Sequence, residues 1–332
     1  MGATSSQISQ FFPPKPKFTD NDVPSLEGNV YIVTGSNTGV GKQLAQMLYS
    51  KNAKVYIAAR SQEKAEAAIR DIKQAAPNSE GSLVFLHLDL NDLTTIKASA
   101  DKFLAAETKL HVLFNNAGVM NPQPDAPKTA QGYEIHIGVN CVAPFLFTKL
   151  LTPILVATAK TETPGTVRVV WVSSQGTELI GLKSIGLSLD NLDYHIPTEG
   201  QVKYALSKTG NWLQGVECAK RYRADGVVSV PLNPGNLSSD LGKHLGRVFK
   251  FFVGLVTYPP KNGAWTELYA GVSPDITLEN SGCYVVPWGR ISPIRKDLVA
   301  ATKTEAEGGN GNAAKFWDWT EEQIKPYLSP QN

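Results

Sequence analysis

The chain has little cysteine, and its charges nearly cancel. Its 332 residues include only three cysteines, and no two of them are close enough to form a CxxC pair. This argues against a disulfide framework and favours a reduced, intracellular setting. The five histidines show no ligand spacing, so no metal site is expected. With 32 basic and 30 acidic residues spread along the chain, nothing favours a nucleic-acid-binding face.

Long apolar runs and a secretory signal are also lacking. No run reaches the roughly 18–20 residues that a membrane span needs. The opening residues, with Gly2 behind the initiator methionine, match the short pattern for N-myristoylation, and a disordered leader is the alternative. Segment 244–253 mixes aromatic and basic residues, which predicts either peripheral membrane contact or, as we favour, a substrate-lid helix. We expect a cytoplasmic protein and leave membrane association open.

Strands and helices alternate from residue 29 onwards. Short apolar runs predict strands at 29–33, 54–59, 83–88, 110–114, 167–172, 227–230 and 282–286. Helical patterns lie between them, and the two longest cover 132–156 and 202–223. Apolar strands that alternate with helices predict one α/β domain, a doubly wound Rossmann fold with a mainly parallel sheet. Residues 1–26 would then form an N-terminal arm, and 27–332 the single domain.

The first predicted strand runs into a glycine-rich turn, residues 34–41, which opens the first helix. Backbone N–H groups at a helix start attract a pyrophosphate, and glycines let the backbone approach it. A plain strand-to-helix turn is the alternative, but the position in the first βαβ unit favours dinucleotide binding. The expected cofactor contacts of this turn are Gly35, Asn37, Thr38, Gly39, Val40 and Gly41.

The end of the second strand indicates which dinucleotide binds. The sequence there reads Ala59-Arg60-Ser61, with no carboxylate to bind the ribose hydroxyls and repel a 2′-phosphate. Arg60 can pair with a phosphate through two hydrogen bonds, and an ordinary solvated residue is the alternative. We therefore expect NADP(H), with NAD(H) as the alternative.

Two later strand ends supply further candidate contacts. Asp89 and Leu90 follow the third strand, where the carboxylate can meet the adenine amino group or instead cap the next helix. Asn116, Ala117 and Gly118 follow the fourth strand. Small residues there allow cofactor and backbone to approach each other, although the turn could simply be a loop.

Tyr204 is the only one of eleven tyrosines with a lysine, Lys208, four residues later. Residues i and i+4 share a helix face, so the hydroxyl and the ammonium point into the same space. A free phenol has a pKa of about 10, and a nearby cation lowers it into the range of a general acid or base. Taken alone, the pair is weak evidence, because an amphipathic helix can carry it by chance.

Other polar residues strengthen that pair. Ser173 and Ser174 end the fifth predicted strand, where a doubly wound sheet binds ligands, and a hydroxyl there can bind a substrate carbonyl or cap a turn. Asn140 lies inside the long helix 132–156, where a buried amide needs a partner. It either orders a water that links Lys208 to solvent or is a satisfied structural asparagine.

Together these motifs resemble the short-chain dehydrogenase/reductase family over residues 28–240. The resemblance implies a seven-stranded sheet and a catalytic tetrad, which selects Ser174 over Ser173: Asn140, Ser174, Tyr204 and Lys208. It also implies cofactor contacts from Tyr204 and Lys208 and from the loop after the sixth strand: Pro234, Gly235, Leu237 and Ser239, the last standing where the family often has threonine. The thirty positions between Ser174 and Tyr204 exceed those of many members. That longer segment resembles the retinol-dehydrogenase and WW-domain-oxidoreductase branch, and the chain looks closest to fungal members.

The resemblance implies an NADP(H)-dependent oxidoreductase that interconverts a carbonyl and an alcohol on a small, apolar organic substrate. Tyr204 would donate or accept the proton, and lid segments near 176–200 and 238–260 would shape the pocket. The alternatives are a dinucleotide-binding sensor or scaffold, and a non-redox enzyme that uses the same pocket. The family often pairs its two long helices between subunits, so a homo-oligomer is also expected.

Overall fold

The fold is seen in a computed structural model, which describes residues 3–123, 126–237 and 257–328. Its centre is an eight-stranded sheet with the order β3-β2-β1-β4-β5-β6-β7-β8. The strands are β1 Val30–Thr34, β2 Lys54–Ala59, β3 Ser82–His87, β4 Val112–Asn115, β5 Arg168–Val172, β6 Val228–Leu232, β7 Val285–Val286 and β8 Arg290–Ile291. Neighbours pair in parallel up to β7, and β8 pairs antiparallel with β7. The doubly wound α/β fold is confirmed, with eight strands rather than seven.

Helices follow or flank most of the strands. They are α1 Ala3–Phe11, α2 Gly39–Tyr49, α3 Gln62–Ala75, α4 Leu93–Ala106, α5 Ile135–Ile137, α6 Ala143–Ala159, α7 Gly176–Ile180, α8 Gly200–Tyr222, α9 Pro260–Val272, α10 Val299–Thr302 and α11 Asn312–Ile324. A π-helical stretch, Gly138–Val142, joins α5 to α6. The predicted long helix 132–156 is therefore three consecutive pieces.

Each face of the sheet is covered by its own hydrophobic core. One core contains Phe145 of α6 and Leu213 of α8, and the other contains Leu44 of α2 and Leu268 of α9. Strands β1, β4, β5 and β6 are buried along their whole length. Burial on both faces explains why these strands read as continuous apolar runs in the sequence.

The strand order reverses beside β1, which lies between β2 and β4. Val33 of β1 pairs with Ile57 of β2 on one side and with Phe114 of β4 on the other. Ligands bind in the crevice outside the carboxyl ends of the strands at such a reversal. The segments that follow β1, β4, β5 and β6 all start at this edge, and they carry the residues of the candidate site.

Helices at both ends of the chain pack onto the domain. The sequence did not predict α1, yet its Gln10 is only 1% exposed. At the other end, α11 lies against α8 and the π-helical stretch. Trp317 of α11 meets Phe145 of α6 edge-to-face, with 4.5 Å between the ring centroids. The long helices α6 and α8 are thus partly covered by the chain's own C-terminal helix.

The stretch Ile135–Ala159 is long and apolar enough to cross a membrane, judged by length and composition. The sequence pattern had shown no uninterrupted apolar run of that length. Within its most apolar window, 61% is buried inside the fold, so the same surface already packs in the core. The proposed lid or interfacial segment 244–253, most of the lid segment 238–260, and Gly2 lie outside the described residues.

Candidate active site

Tyr204 lies near the start of α8, one turn before Lys208, as the spacing predicts. Its ring packs edge-on to His136 with 6.1 Å between centroids. Burial raises the pKa of Tyr204 to about 12, and the nearby Ser174 side chain opposes that rise. At neutral pH the phenol therefore keeps its proton and can donate it.

Lys208 is buried and points at the end of β5. Its Nζ donates to the main-chain oxygen of Val172 at 2.8 Å and lies 6.0 Å from the centroid of the Tyr204 ring. Burial lowers the pKa of Lys208 to about 8, and a nearby thiol and carboxyl oppose this. The sequence led us to expect that this cation lowers the pKa of Tyr204. In the structure its ammonium is bound by Val172, and Ser174 is the group that lowers the Tyr204 pKa.

The two serines at the end of β5 have different surroundings. The Ser173 hydroxyl is buried, donates to the main-chain oxygen of Lys208 at 2.7 Å, and lies 2.8 Å from the hydroxyl of Thr177. Ser174 is half-buried, its Oγ accepts from the Gly176 amide at 3.1 Å, and its side chain lowers the pKa of Tyr204. Ser173 therefore ties β5 to α8, whereas Ser174 faces the tyrosine.

Asn140 lies in the π-helical stretch, a feature that often occurs at functional sites. Its Oδ1 accepts from the Val119 amide at 2.8 Å, and its Nδ2 donates to Val119 O at 3.1 Å and to Ser207 Oγ at 2.9 Å. Asn211 Nδ2 donates to the main-chain oxygen of Asn140 at 2.5 Å. The side-chain amide is thus held structurally, and its NH₂ group has two acceptors, Val119 O and Ser207 Oγ.

The glycine turn brings two backbone segments into close contact. Gly35 has a φ of 69°, and a Cβ added there would lie 3.0 Å from Cα of Ala117. At Gly41 an added Cβ would lie 2.5 Å from Nδ2 of Asn116. Thr38 is the N-cap of α2 but makes no side-chain cap bond, so it leaves the first amides of the helix open to a ligand. The other expected contacts of the turn are exposed or half-buried: Asn37, Gly39 and Val40.

The turn after β4 connects the glycine turn with the tyrosine–lysine pair. Asn116 Nδ2 donates to Thr34 O at 2.6 Å, and the Ala117 amide donates to Thr34 Oγ1 at 2.9 Å. At Gly118 an added Cβ would lie 3.0 Å from Nζ of Lys208. The small residues expected here are therefore required by close packing, and they place both halves of the candidate site beside each other.

The residues expected at the adenosine end lie beyond β2 and β3. Arg60 is exposed directly after β2, with its side chain accessible to a ligand. Asp89 accepts a hydrogen bond from the Asn91 amide at 2.9 Å, and Leu90 is 9% exposed. The helix cap that we considered for Asp89 is instead supplied by Asp92, the N-cap of α4. The Asp89 carboxylate thus retains acceptor capacity.

The loop after β6 contains Pro234 and turns sharply at Gly235. That glycine has a φ of 99°, and its amide donates to Oδ1 of Asn233 at 2.9 Å. Leu237 forms an isolated parallel bridge with Tyr258. Ser239, the remaining expected contact of this loop, lies outside the described residues.

Two buried polar residues close to the site were missed by the sequence analysis. Gln10 of α1 bonds with Asn233, which begins the segment after β6. Glu267 of α9 is 0% exposed and acts electrostatically on Lys208. Gln10 stands in a polar stretch that gives no signal. Glu267 stands alone among small and apolar residues of a helix, which is a signal that could have found it.

Comparisons with known proteins show which family the chain belongs to. A family model described as short chain dehydrogenase matches residues 29–183. The chain is 54% identical over 326 residues to the short-chain dehydrogenase/reductase bet4 of Neocamarosporium betae, covering 98% of this chain and 94% of that protein. It is 45% identical to the short-chain dehydrogenase/reductase pkfC of Emericella nidulans, covering 94% and 98%. These relatives confirm the fungal resemblance, while the retinol-dehydrogenase branch stays a prediction.

Solved structures share the fold. An uncharacterized protein from Mycobacterium paratuberculosis superposes with a TM-score of 0.67 at 27% identity, covering 93% of this chain and 97% of the other. The NADPH-bound carbonyl reductase from chicken fatty liver gives a TM-score of 0.60 at 21% identity, covering 80% and 99%. These structures share the fold, and the close relatives above show that the chain belongs to the short-chain dehydrogenase/reductase family of oxidoreductases.

Proposed function

We propose that the protein is an NADP(H)-dependent oxidoreductase that interconverts a carbonyl and an alcohol on a small, apolar organic substrate. The observation that carries the proposal is the buried Lys208, whose Nζ lies 6.0 Å from the centroid of the Tyr204 ring and 2.8 Å from the main-chain oxygen of Val172, two residues before Ser174. A proton donor, a carbonyl-binding hydroxyl and a cation thus meet where doubly wound sheets bind ligands.

The residues of the glycine turn fit a nicotinamide dinucleotide. The backbone at Gly35 and Gly41 has no room for a side chain, and the first amides of α2 are open for a pyrophosphate. Arg60 is exposed where no acid competes for the adenosine ribose, which favours NADP(H) over NAD(H). When bound, this cofactor supplies or accepts the hydride, and the protein provides placement and charge.

The chain's own residues then manage the proton and the polarity of the reacting oxygen. Ser174 donates a hydrogen bond to the substrate oxygen, and Tyr204 gives that oxygen its proton during reduction. In the reverse direction Tyr204 accepts the proton of the alcohol. Lys208 contributes positive charge behind the tyrosine and holds the ribose hydroxyls next to the nicotinamide. Asn140 positions the relay water through its main-chain oxygen.

The proposal is tested by following NADPH absorbance across a panel of aldehydes and ketones, with the Tyr204→Phe variant alongside. We expect the variant to lose at least about 100-fold in kcat/KM, because it lacks the proton. Tyr222→Phe, at the far end of the same helix, makes the same chemical change away from the site and serves as the control. A Tyr204→Phe variant as active as the parent would disprove the assignment.

A further inference from the structure

Glu267 is a buried acid. It belongs to neither hydrophobic core and takes no part in the proposed proton transfer. Its side chain is 0% exposed, and neither carboxyl oxygen has a hydrogen-bond partner in the part of the chain that the structure describes. Leaving a buried carboxyl unpaired costs free energy, so such groups are rare in native proteins. The group calls for a partner that the described residues do not supply.

The face of α9 that carries Glu267 lies against the ligand-binding edge of the sheet. One turn earlier, an added Cβ on Gly263 would lie 3.3 Å from the main-chain oxygen of Pro234 and would collide with Leu237. One turn later, Gly271 packs against the ring of Phe114. Residues four apart share a helix face, so Glu267 lies between the loop after β6 and the end of β4.

Burial and one cation govern the charge of Glu267. Burial raises the pKa of its carboxyl to about 8, and the Lys208 ammonium opposes this. Within the described residues, Lys208 is the charged group that acts on Glu267, and the high-pKa thiol of Cys141 acts on Lys208 in turn. Tyr204 stays neutral because burial raises its pKa. Glu267 is therefore neutral at physiological pH and would ionise if a further cation came close.

We propose that Glu267 makes this site bind the oxidised, positively charged nicotinamide more tightly than the reduced, neutral one. The inference rests on the proposed cofactor function and names Glu267 as a specificity-determining residue for the cofactor's redox state. The positive ring favours the carboxylate, so binding of the oxidised form releases the Glu267 proton to solvent. The reduced ring leaves the carboxyl neutral. The Lys208 ammonium repels the positive ring, and the carboxylate offsets that repulsion.

The test measures the dissociation constants of NADP⁺ and NADPH separately, for the parent and for Glu267→Gln, by calorimetry. At about pH 9, where the carboxyl ionises, the substitution should weaken NADP⁺ about tenfold and change NADPH less than about twofold. At about pH 6 the two proteins should agree, because Glu267 is then protonated. Glu217→Gln is the matched control, since Glu217 is a buried acid paired with Arg221 at 2.9 Å. It should leave both constants unchanged.

Each possible result either supports the inference or overturns it. An equal loss for both forms of the cofactor would give Glu267 a structural role and overturn the inference, as would no loss of NADP⁺ binding at about pH 9. A parent that binds neither form overturns the proposed function together with the inference. A parent that binds both forms, with a ratio unaffected by the substitution, overturns the inference alone. If the variant does not fold, the parent alone is titrated by calorimetry in two buffers of different ionisation enthalpy. We expect more protons to be released when NADP⁺ binds than when NADPH binds. Equal proton release with the two forms would overturn the inference.

Discussion

The side-chain oxygen of Gln10 accepts a hydrogen bond from Nδ2 of Asn233 at 2.9 Å, across 223 positions of sequence. The Gln10 amide donates in turn to Glu178 of α7 at 2.5 Å. Two further contacts hold α1: Arg290 donates to the main-chain oxygen of Ser9, and the Tyr258 hydroxyl to that of Phe11. The N-terminal helix thus connects the loop after β6 with the segment after β5.

Replacing Gln10 by alanine should destabilise the protein by about 1–3 kcal/mol, because it leaves buried groups of Asn233 and Glu178 without partners. Urea unfolding measures the change. Gln7→Ala, on the same helix at a half-buried position, should cost less than about 0.5 kcal/mol. If the two variants are equally stable, the buried amide does not hold α1 in place.

Substitutions at the two serines after β5 should have different effects, one on activity and the other on stability. Ser174→Ala removes the hydroxyl that faces Tyr204 and should lower kcat/KM by about 100- to 1000-fold with little effect on unfolding. Ser173→Ala removes buried hydrogen bonds to the Lys208 main-chain oxygen and to Thr177 and should cost about 1–3 kcal/mol of stability. Steady-state kinetics and thermal unfolding of both variants check this. The reverse assignment of effects would move the catalytic role to Ser173.

Arg60 should decide between the two dinucleotides. Arg60→Ala removes the pairing with the 2′-phosphate and should raise the KM for NADPH by about 10- to 100-fold, since hydrogen bonds to charged groups are worth 1.5–3 kcal/mol. The KM for NADH should stay nearly constant. Arg70→Ala, an exposed arginine on the neighbouring α3, controls for general loss of positive charge. A uniform effect on both cofactors would refute the role of Arg60.

Glu267 should also make stability depend on pH. Its pKa is raised from 4.5 to about 8 on folding, so the folded state holds a proton that the unfolded chain has lost between these values. The contribution of this group to the free energy of unfolding is therefore fully present below about pH 4.5 and is lost as the pH rises to about 8. Glu267→Gln should therefore match the parent near pH 4.5 and exceed it by about 2–4 kcal/mol near pH 8, measured by urea unfolding. A constant gap across this range would show that burial does not hold the proton.

The parts of the fold that were predictable are those with local patterns. The strand 54–59 and the helix 93–106 have the predicted bounds, because the positions of the apolar residues in each segment indicate which of its faces are buried. Strand β8 has two residues, too few to show a period. Helix α1 is polar, and among the described residues the side chain of Gln10 bonds to two that lie more than 160 positions away. The candidate tetrad was identified in the sequence through the family resemblance. The different surroundings of Ser173 and Ser174 depend on how the end of β5 is oriented, which the sequence does not show.

The π-helical stretch has a consequence for how the chain can vary. It contains one residue more per turn than a regular α-helix, and removing a residue would rotate everything on one side by about 100° relative to the other. Asn140 would then turn away from Val119 and Ser207, the two residues its amide now binds. Point substitutions preserve the residue count and hence this orientation. We infer that single-residue deletions within 138–142 are tolerated far less well than substitutions there, so the segment's length is under tighter constraint than its composition.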